Sequence, residues 1–309
     1  MIPSERLKGI GAFVASADSG SFTAAGARLN LTSSAVSKSV ARLEERLGSR
    51  LFQRTTRKLA LTDAGAAFYA TCARVLAELE DATAVLTAHR SEVVGRVRIN
   101  VPVAFGRMRV MPLLLGFAGR NPGLRPQVTF SDRFVDLIDD GVDVAVRISA
   151  SDRWASGLGR RYLGVERLIF CAAPDYLERQ RTPQTADDLT HLDCILYGRG
   201  DGRAITWRFG SDGGAIEERV MEGRLILGSA EAQVGAVKAG FGVAQLATWL
   251  IEDELRSGEL VEILPKKAAQ GLLLHLVWQQ SRQLSPTVAA LLDMLGESLR
   301  IETFHHGGL

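Results

Sequence analysis

The sequence predicts an α/β protein that carries an N-terminal winged helix-turn-helix and a long linker helix. Three observations predict it. Residues 5–47 hold apolar positions at helical spacing in three short runs, broken at Ser19-Gly20 and at Asn30-Leu31. A stretch from Ala64 to about His89, free of proline, keeps a heptad of apolar positions. Residues 97–299 then alternate strand-like and helix-like segments, the order expected of sheets covered by helices. The 309 residues, 46% apolar and 23% charged, suffice for two or three such units and exclude collagen-like or largely disordered chains.

Composition narrows the function classes. The sequence holds no run of about 20 uninterrupted apolar residues, and residues 1–6 lack the apolar stretch of a secretory signal, so a cytoplasmic protein without membrane contact is expected. Cys72, Cys171 and Cys194 lie far apart without a C-x-x-C pair, against both a disulfide framework and a zinc site. Charge is asymmetric. Residues 1–62 hold ten Lys/Arg against four Asp/Glu, a balance of +6, whereas the remainder sums to −4. A small basic head on a mildly acidic body suits a polyanionic partner, although charge alone is equally the mark of a solvated face.

Within the head, Leu7, Ile10, Phe13, Val14 and Ala17 predict a helix from Glu5 to Asp18. Ser21 is placed to cap a second helix with Phe22, Ala25 and Leu29 facing inward, and Thr32 or Ser33 to cap a third that runs to Leu47 before Gly48. Val36, Val40, Leu43 and Leu47 give that third helix one buried stripe, while Ser34, Ser37, Lys38, Ala41 and Arg42 share the opposite face. Hydroxyls and cations on one helix suit the major groove, where they meet base edges and phosphates. Ser21, Thr23, Thr32 and Ser33 at the helix starts complete the expected contact set. Leu51 to Thr62 alternates as a short hairpin, with Arg54 and Arg57 placed for the backbone or a narrow minor groove.

Phe68, Cys72, Val75, Leu79, Ala82, Leu86 and His89 step by four and three, a seam that zips two copies together or packs the helix onto its own chain. A dimer is the expectation, with Cys72 a small apolar filler. Beyond Gly95, strands are expected at 97–101, 128–130 and 142–148 with helices at 107–120 and 134–140, giving a mostly parallel sheet. A second set follows: strands at 168–172, near 195, at 205–209, 225–227 and 243–246, and helices at 175–179 and 229–239. A strand at 272–278 and a helix at 285–299 close the chain.

The stretch Ser21-Phe22-Thr23-Ala24-Ala25, then Ser34 to Lys38, Leu43-Glu44, Leu47-Gly48, Leu51 to Arg57 and Leu61 to Gly65 resembles the LysR-type transcriptional regulators. Further matches reach about Leu299. The resemblance implies a two-lobed effector domain like the periplasmic binding proteins. The expected division is residues 1–62 as the DNA-binding domain, 63–90 as linker and dimerisation helix, and 92–300 as effector domain. Its lobe I spans about 92–168 and 275–300, its lobe II about 169–270. The implied partners are double-stranded DNA carrying an interrupted inverted repeat, a small-molecule effector, and a second copy in a homodimer or homotetramer. RNA polymerase is a further partner implied.

Small ligands of such folds sit at strand ends and helix N-termini between the lobes. The expected lining is Asn100, Pro102, Val103, Ala104, Phe105, Ser131, Asp132 and Ile148 from lobe I, with Ser229, Ala230 and Gly242 from lobe II. Free N–H groups at the 229–231 helix start favour a carboxylate. Compared with the family pattern, Ala104 lacks a common hydroxyl, Gly228-Ser229 replaces a common polar pair and Leu246-Ala247 a Leu-Pro turn. Enzymatic readings are weak: Gly240-Phe241-Gly242 and Gly198-Arg199-Gly200 lack a third glycine, and the five histidines show no metal-ligand spacing. No metal, cofactor or catalytic residue is expected.

Overall fold

A computed structural model describes residues 9–54, 59–87, 93–133, 135–150, 154–198, 203–211, 214–283 and 285–300. Side chains at 54, 77, 78 and 80–87 lie outside the description, as do residues 55–58 with Arg57. The chain divides into two compact units, residues 1–90 and 91–309.

The first unit opens with α1 (Ile10–Ser19), α2 (Phe22–Leu29) and α3 (Ser33–Leu47). Their limits follow from side-chain chemistry. Ser21 Oγ accepts the Thr23 and Ala24 amides, Thr32 Oγ1 accepts that of Ala35, and Gly20 and Gly48 end α1 and α3 in the left-handed region. Residues 5–8, expected in the first helix, lie outside the described residues. Strands β1 (Phe52–Arg54) and β2 (Leu59–Leu61) pair antiparallel, Phe52 opposite Leu61. Phe13, fully buried, is the centre of this core, its ring 5.3 Å from Phe52 and 5.6 Å from Phe68. Leu47 departs from the expected stripe and is 43% exposed, because α3 runs a turn past Leu43, its last apolar residue in the core. The burial that periodicity assigned to Leu47 falls to Glu44, whose Oε1 accepts the Leu51 and Phe52 amides at 2.8 and 3.0 Å.

Helix α4 (Asp63–Thr87) runs on from the hairpin, with Thr62 Oγ1 accepting the Gly65 amide. Its early turns correct the seam. Cys72 is 4% exposed within the head's core, and Phe68 and Leu76 pack against that core, so the 68–72–76 face serves this chain's own fold. Val75 and Leu79 lie on a neighbouring face outside that cluster, and Leu79 is 52% exposed. Ala82, Leu86 and His89 lie outside the described side chains.

The second unit holds β3 (Gly95–Val101), a helical turn α5 (Val103–Phe105), a π-turn at Gly106–Val110 and α6 (Met111–Arg120). The helix therefore starts at 103, four residues before the expected Arg107. Gly106 permits this: a Cβ there would come within 2.3 Å of Val101 and 3.0 Å of Phe130, so only glycine lets the helix press onto the strand ends. Next come β4 (Leu124–Phe130), β5 (Val144–Ser149), the long β6 (Leu158–Ala172) and α7 (Pro174–Arg179). Between β4 and β5 a turn replaces the helix expected at 134–140, since Asp136 Oδ1 accepts the Ile138 and Asp139 amides and the chain reverses at Gly141. Phe134 lies outside the described residues.

Then follow β7 (Ile195–Tyr197), β8 (Trp207–Gly210), β9 (Ile216–Arg219), β10 (Leu225–Leu227), α8 (Ala230–Lys238), β11 (Ala244–Ala247), α9 (Glu252–Ser257), β12 (Val261–Ile263), β13 (Ala269–Gln279) and α10 (Pro286–Ser298). The main sheet runs β11-β6-β13-β5-β3-β4, with β12 also on β6. It is mixed rather than mostly parallel. Only β3 with β4 and β5 pairs in parallel, because the chain leaves and re-enters the first lobe along β6 and β13, which run antiparallel to each other.

Two cores sit along this sheet. One gathers Val97, Ile99, Val144, Val146, Leu274 and Leu276 under α6 and α10; the other gathers Ile169, Phe170, Ile195, Val237, Leu246 and Ile263. Strand β6 passes from the first at Leu163 to the second at Ile169. At the crossover the buried Glu166 accepts the Trp249 Nε1–H at 2.9 Å and the Leu272 amide at 3.2 Å. Among the described residues no helix is long and apolar enough to cross a membrane.

Candidate nucleic-acid interface and interlobe cleft

Helix α3 separates its side chains by face. Val36, Val40 and Leu43 are buried, while Ser34, Lys38, Ala41 and Arg42 are exposed on the opposite side and Ser37 is half-buried beside them. The starts of α2 and α3 meet at the edge of this face, where Thr23 Oγ1 donates to Ser33 Oγ at 3.4 Å. Ser21 and Thr32 cap the two helix starts with their hydroxyl oxygens. Cations, hydroxyls and two helix N-termini thus lie together on one side of a rigid three-helix core. Arg54 ends β1, with its side chain outside the description, and Arg57 is outside the described residues.

In the second unit several of the expected cleft residues hold structural roles. Asp132 Oδ1 accepts the Val103 amide at 2.9 Å, tying the strand ends of β3 and β4 together next to Pro102. Ser131 Oγ accepts the Arg133 amide, and Ile148 is half-buried near the end of β5. Asn100 is 2% exposed, its amide donating to Thr129 Oγ1 at 2.8 Å. Phe105 is no open apolar wall: it is 2% exposed in the lobe I core and meets the Trp249 ring edge-on at 5.0 Å. Ala104 is 8% exposed and packs with the lobe II core.

At the start of α8, Ser229 Oγ accepts the Ala232 amide and Ala230 packs on the lobe II core. The carboxylate of Glu231 already sits in that first turn, paired with Arg107 at 3.1 Å. That carboxylate faces Arg107, and Ser229 Oγ is the side chain that caps the helix start. Gly242 is also displaced. In β11 it is Ala247 that pairs with Leu168 at the crossover, whereas Gly242 precedes the far end of that strand. There a Cβ would come within 2.0 Å of the Asp193 carbonyl, so glycine is needed for packing.

Sequence reasoning missed the residues that join the lobes. Arg109 donates to the Trp249 carbonyl at 3.0 Å and pairs with Glu252, holding that carboxyl below its ordinary range. Tyr197, at the end of β7, has its pKa raised by burial and by the charge of Asp132. The signal was present only as polar residues directly after strands. Cys171 and Cys194 are core thiols, pushed by burial up to about 12 and about 11, so neither is a thiolate at neutral pH.

Residues 7–66 match the bacterial regulatory helix-turn-helix proteins of the lysR family, and residues 90–300 match the LysR substrate binding domain. The chain belongs to the LysR family of transcriptional regulators. An HTH-type transcriptional regulator of Haemophilus influenzae is 34% identical to it over 93% of this chain and 98% of its own length. LtrA of Klebsiella pneumoniae, a probable HTH-type regulator, is 32% identical over 95% of this chain and 94% of its own. The structure of CrgA from Neisseria meningitidis, a LysR-type transcriptional regulator, superposes with a TM-score of 0.60 at 29% identity, covering 97% of this chain and 99% of that one. Full-length AphB of Vibrio cholerae, at 22% identity and a TM-score of 0.62, shares the fold over 94% and 98% of the two chains. LysR-type regulators are DNA-binding proteins with an effector-binding domain, and not enzymes.

Proposed function

We propose that this LysR-type regulator grips an interrupted inverted repeat as a dimer or tetramer in the cytoplasm and answers to an effector held between its two lobes. In this reading residues 1–62 read the DNA, 63–90 join two copies and 92–300 receive the signal. The carrying observation is the exposed Ser34–Lys38–Arg42 face of α3, backed by a buried stripe and flanked by two capped helix starts. Ser34 and Ser37 reach base edges, Lys38 and Arg42 the phosphates, and Arg54 and Arg57 the flanking backbone or minor groove. Contact with RNA polymerase follows for a regulator seated beside a promoter. Footprinting the intergenic DNA beside its own gene tests the reading. Two protected half-sites about one helical turn apart, or a multiple of it, support a symmetric dimer. Uniform, sequence-independent coverage contradicts it.

The joining face is Val75, Leu79, Ala82 and Leu86, with Phe68 and Cys72 withdrawn into the head. Leu79→Asp places a charge in the seam and is expected to weaken the dimer by several kcal/mol, on the scale of an unpaired buried charge. Sedimentation should then give a monomer. An unchanged mass would move the interface elsewhere.

A further inference from the structure

Opposite the face covered by α6 and α10, the lobe I sheet carries a row of polar side chains. Arg147 of β5 lies directly across from His275 of β13, and His275 directly across from Tyr162 of β6. The Trp154 ring stands edge-on to His275 at 5.6 Å. Arg147 is 8% exposed. Its Nη1 donates to Asn100 Oδ1 at 2.5 Å and to the Val146 carbonyl at 3.1 Å. Its Nε and Nη2 are buried and have no acceptor among the described residues, and the same holds for Trp154 Nε1.

Buried donors are almost always paired, and a buried cation without a counter-charge is more costly still. None of the described acidic side chains supplies one to Arg147. The pattern of pairing is specific. One nitrogen is tied to the fold, and the two left over, Nε and Nη2, form the in-plane edge that meets both oxygens of a carboxylate. A carboxylate places its single charge and both oxygens on this edge, whereas inorganic phosphate would meet it with two oxygens and leave the others, with up to one further charge, buried without donors. Asn100 and Arg147 also lie within two residues of the carboxyl ends of β3 and β5, where open α/β sheets bind ligands.

We propose that Arg147 is the carboxylate anchor for the effector, which is a small organic acid whose two oxygens meet Nε and Nη2 while its apolar part rests on the rings of Trp154 and His275. This rests on the effector-controlled reading above. Burial depresses the Arg147 pKa, as it does for a cation held without its anion.

The test uses the full chain in thermal unfolding and calorimetric titration with acetate, butyrate and benzoate, each against its amide, and with inorganic phosphate. At least one of the acids should bind and raise the unfolding temperature with concentration, while amides and phosphate do not. Arg147→Met should weaken that acid on the order of a hundredfold, the scale of two charge-assisted hydrogen bonds. Without acid it should unfold near the wild-type temperature, since removing an unpaired buried cation offsets the Asn100 Oδ1 acceptor it leaves without its donor. Arg147→Lys, which keeps the charge and loses the fork, should also bind the acid weakly. The proposal is overturned if no acid binds, or if wild type and variants bind it alike. Acids that bind through Arg147 yet leave DNA affinity unchanged would uphold the site and refute the effector reading. Control of DNA binding by a neutral compound, with no acid bound, would do the reverse.

Discussion

Glu44→Leu unfolds the head while the second unit retains its own transition. Glu44 is 8% exposed, and its Oε1 accepts two amides, those of Leu51 and Phe52, that no strand partner receives there. Leucine fills the space but leaves both donors buried and unpaired, at about 1–3 kcal/mol each. A head of fewer than 100 residues has little more stability than that to lose. Differential scanning calorimetry should show the low-temperature transition shifted down or lost, with DNA binding lost alongside it. Glu44→Gln, which keeps an acceptor, should be much milder. Equal damage from both variants would mean that the charge, rather than the two hydrogen bonds, is what matters.

The largest effect in the second unit is expected at Asp143. Its Oδ1 accepts from Arg282 Nε at 2.8 Å and its Oδ2 from the Arg98 amide at 2.8 Å, with Arg282 17% and Asp143 7% exposed at their side chains. This carboxylate fastens the start of β5 to β3 and to the turn after β13. Asp143→Ala removes one partner of a mostly buried pair, which typically costs about 3–5 kcal/mol. Urea unfolding should move to a lower midpoint with an unchanged slope. A shift below about 1 kcal/mol, the scale of exposed ion pairs, would mean that the pair is effectively solvated.

The head was largely legible because its signals are local. Ser21, Thr32, Gly20 and Gly48 mark helix ends by side-chain chemistry that acts within four residues, and the opposed faces of α3 follow from a 3.6-residue period. What stayed hidden was set by distant parts of the chain. Phe68 and Cys72 satisfy both a heptad seam and a packing face on α1, since steps of three and four serve either use. Strand direction leaves no mark on alternation, so the antiparallel returns along β6 and β13 could not be read from it. The charged β9, α9 and β12 lack the apolar periodicity that announces an element. In the cleft, chain segments were legible and roles were not. Phe105 and Ala104 went into cores, Glu231 pairs with Arg107 beside the start of α8, and Arg147 sits in a strand whose other residues read as plain core.

The exposed face of α3 is proposed to hold duplex DNA. The most direct test is the affinity of the full chain for its own promoter across a series of salt concentrations, for wild type, Lys38→Ala and Arg42→Ala. Each lost phosphate contact should weaken specific and non-specific binding together and reduce the slope of log affinity against log salt by about one. Wild-type affinity and an unchanged slope in both variants would contradict the assignment.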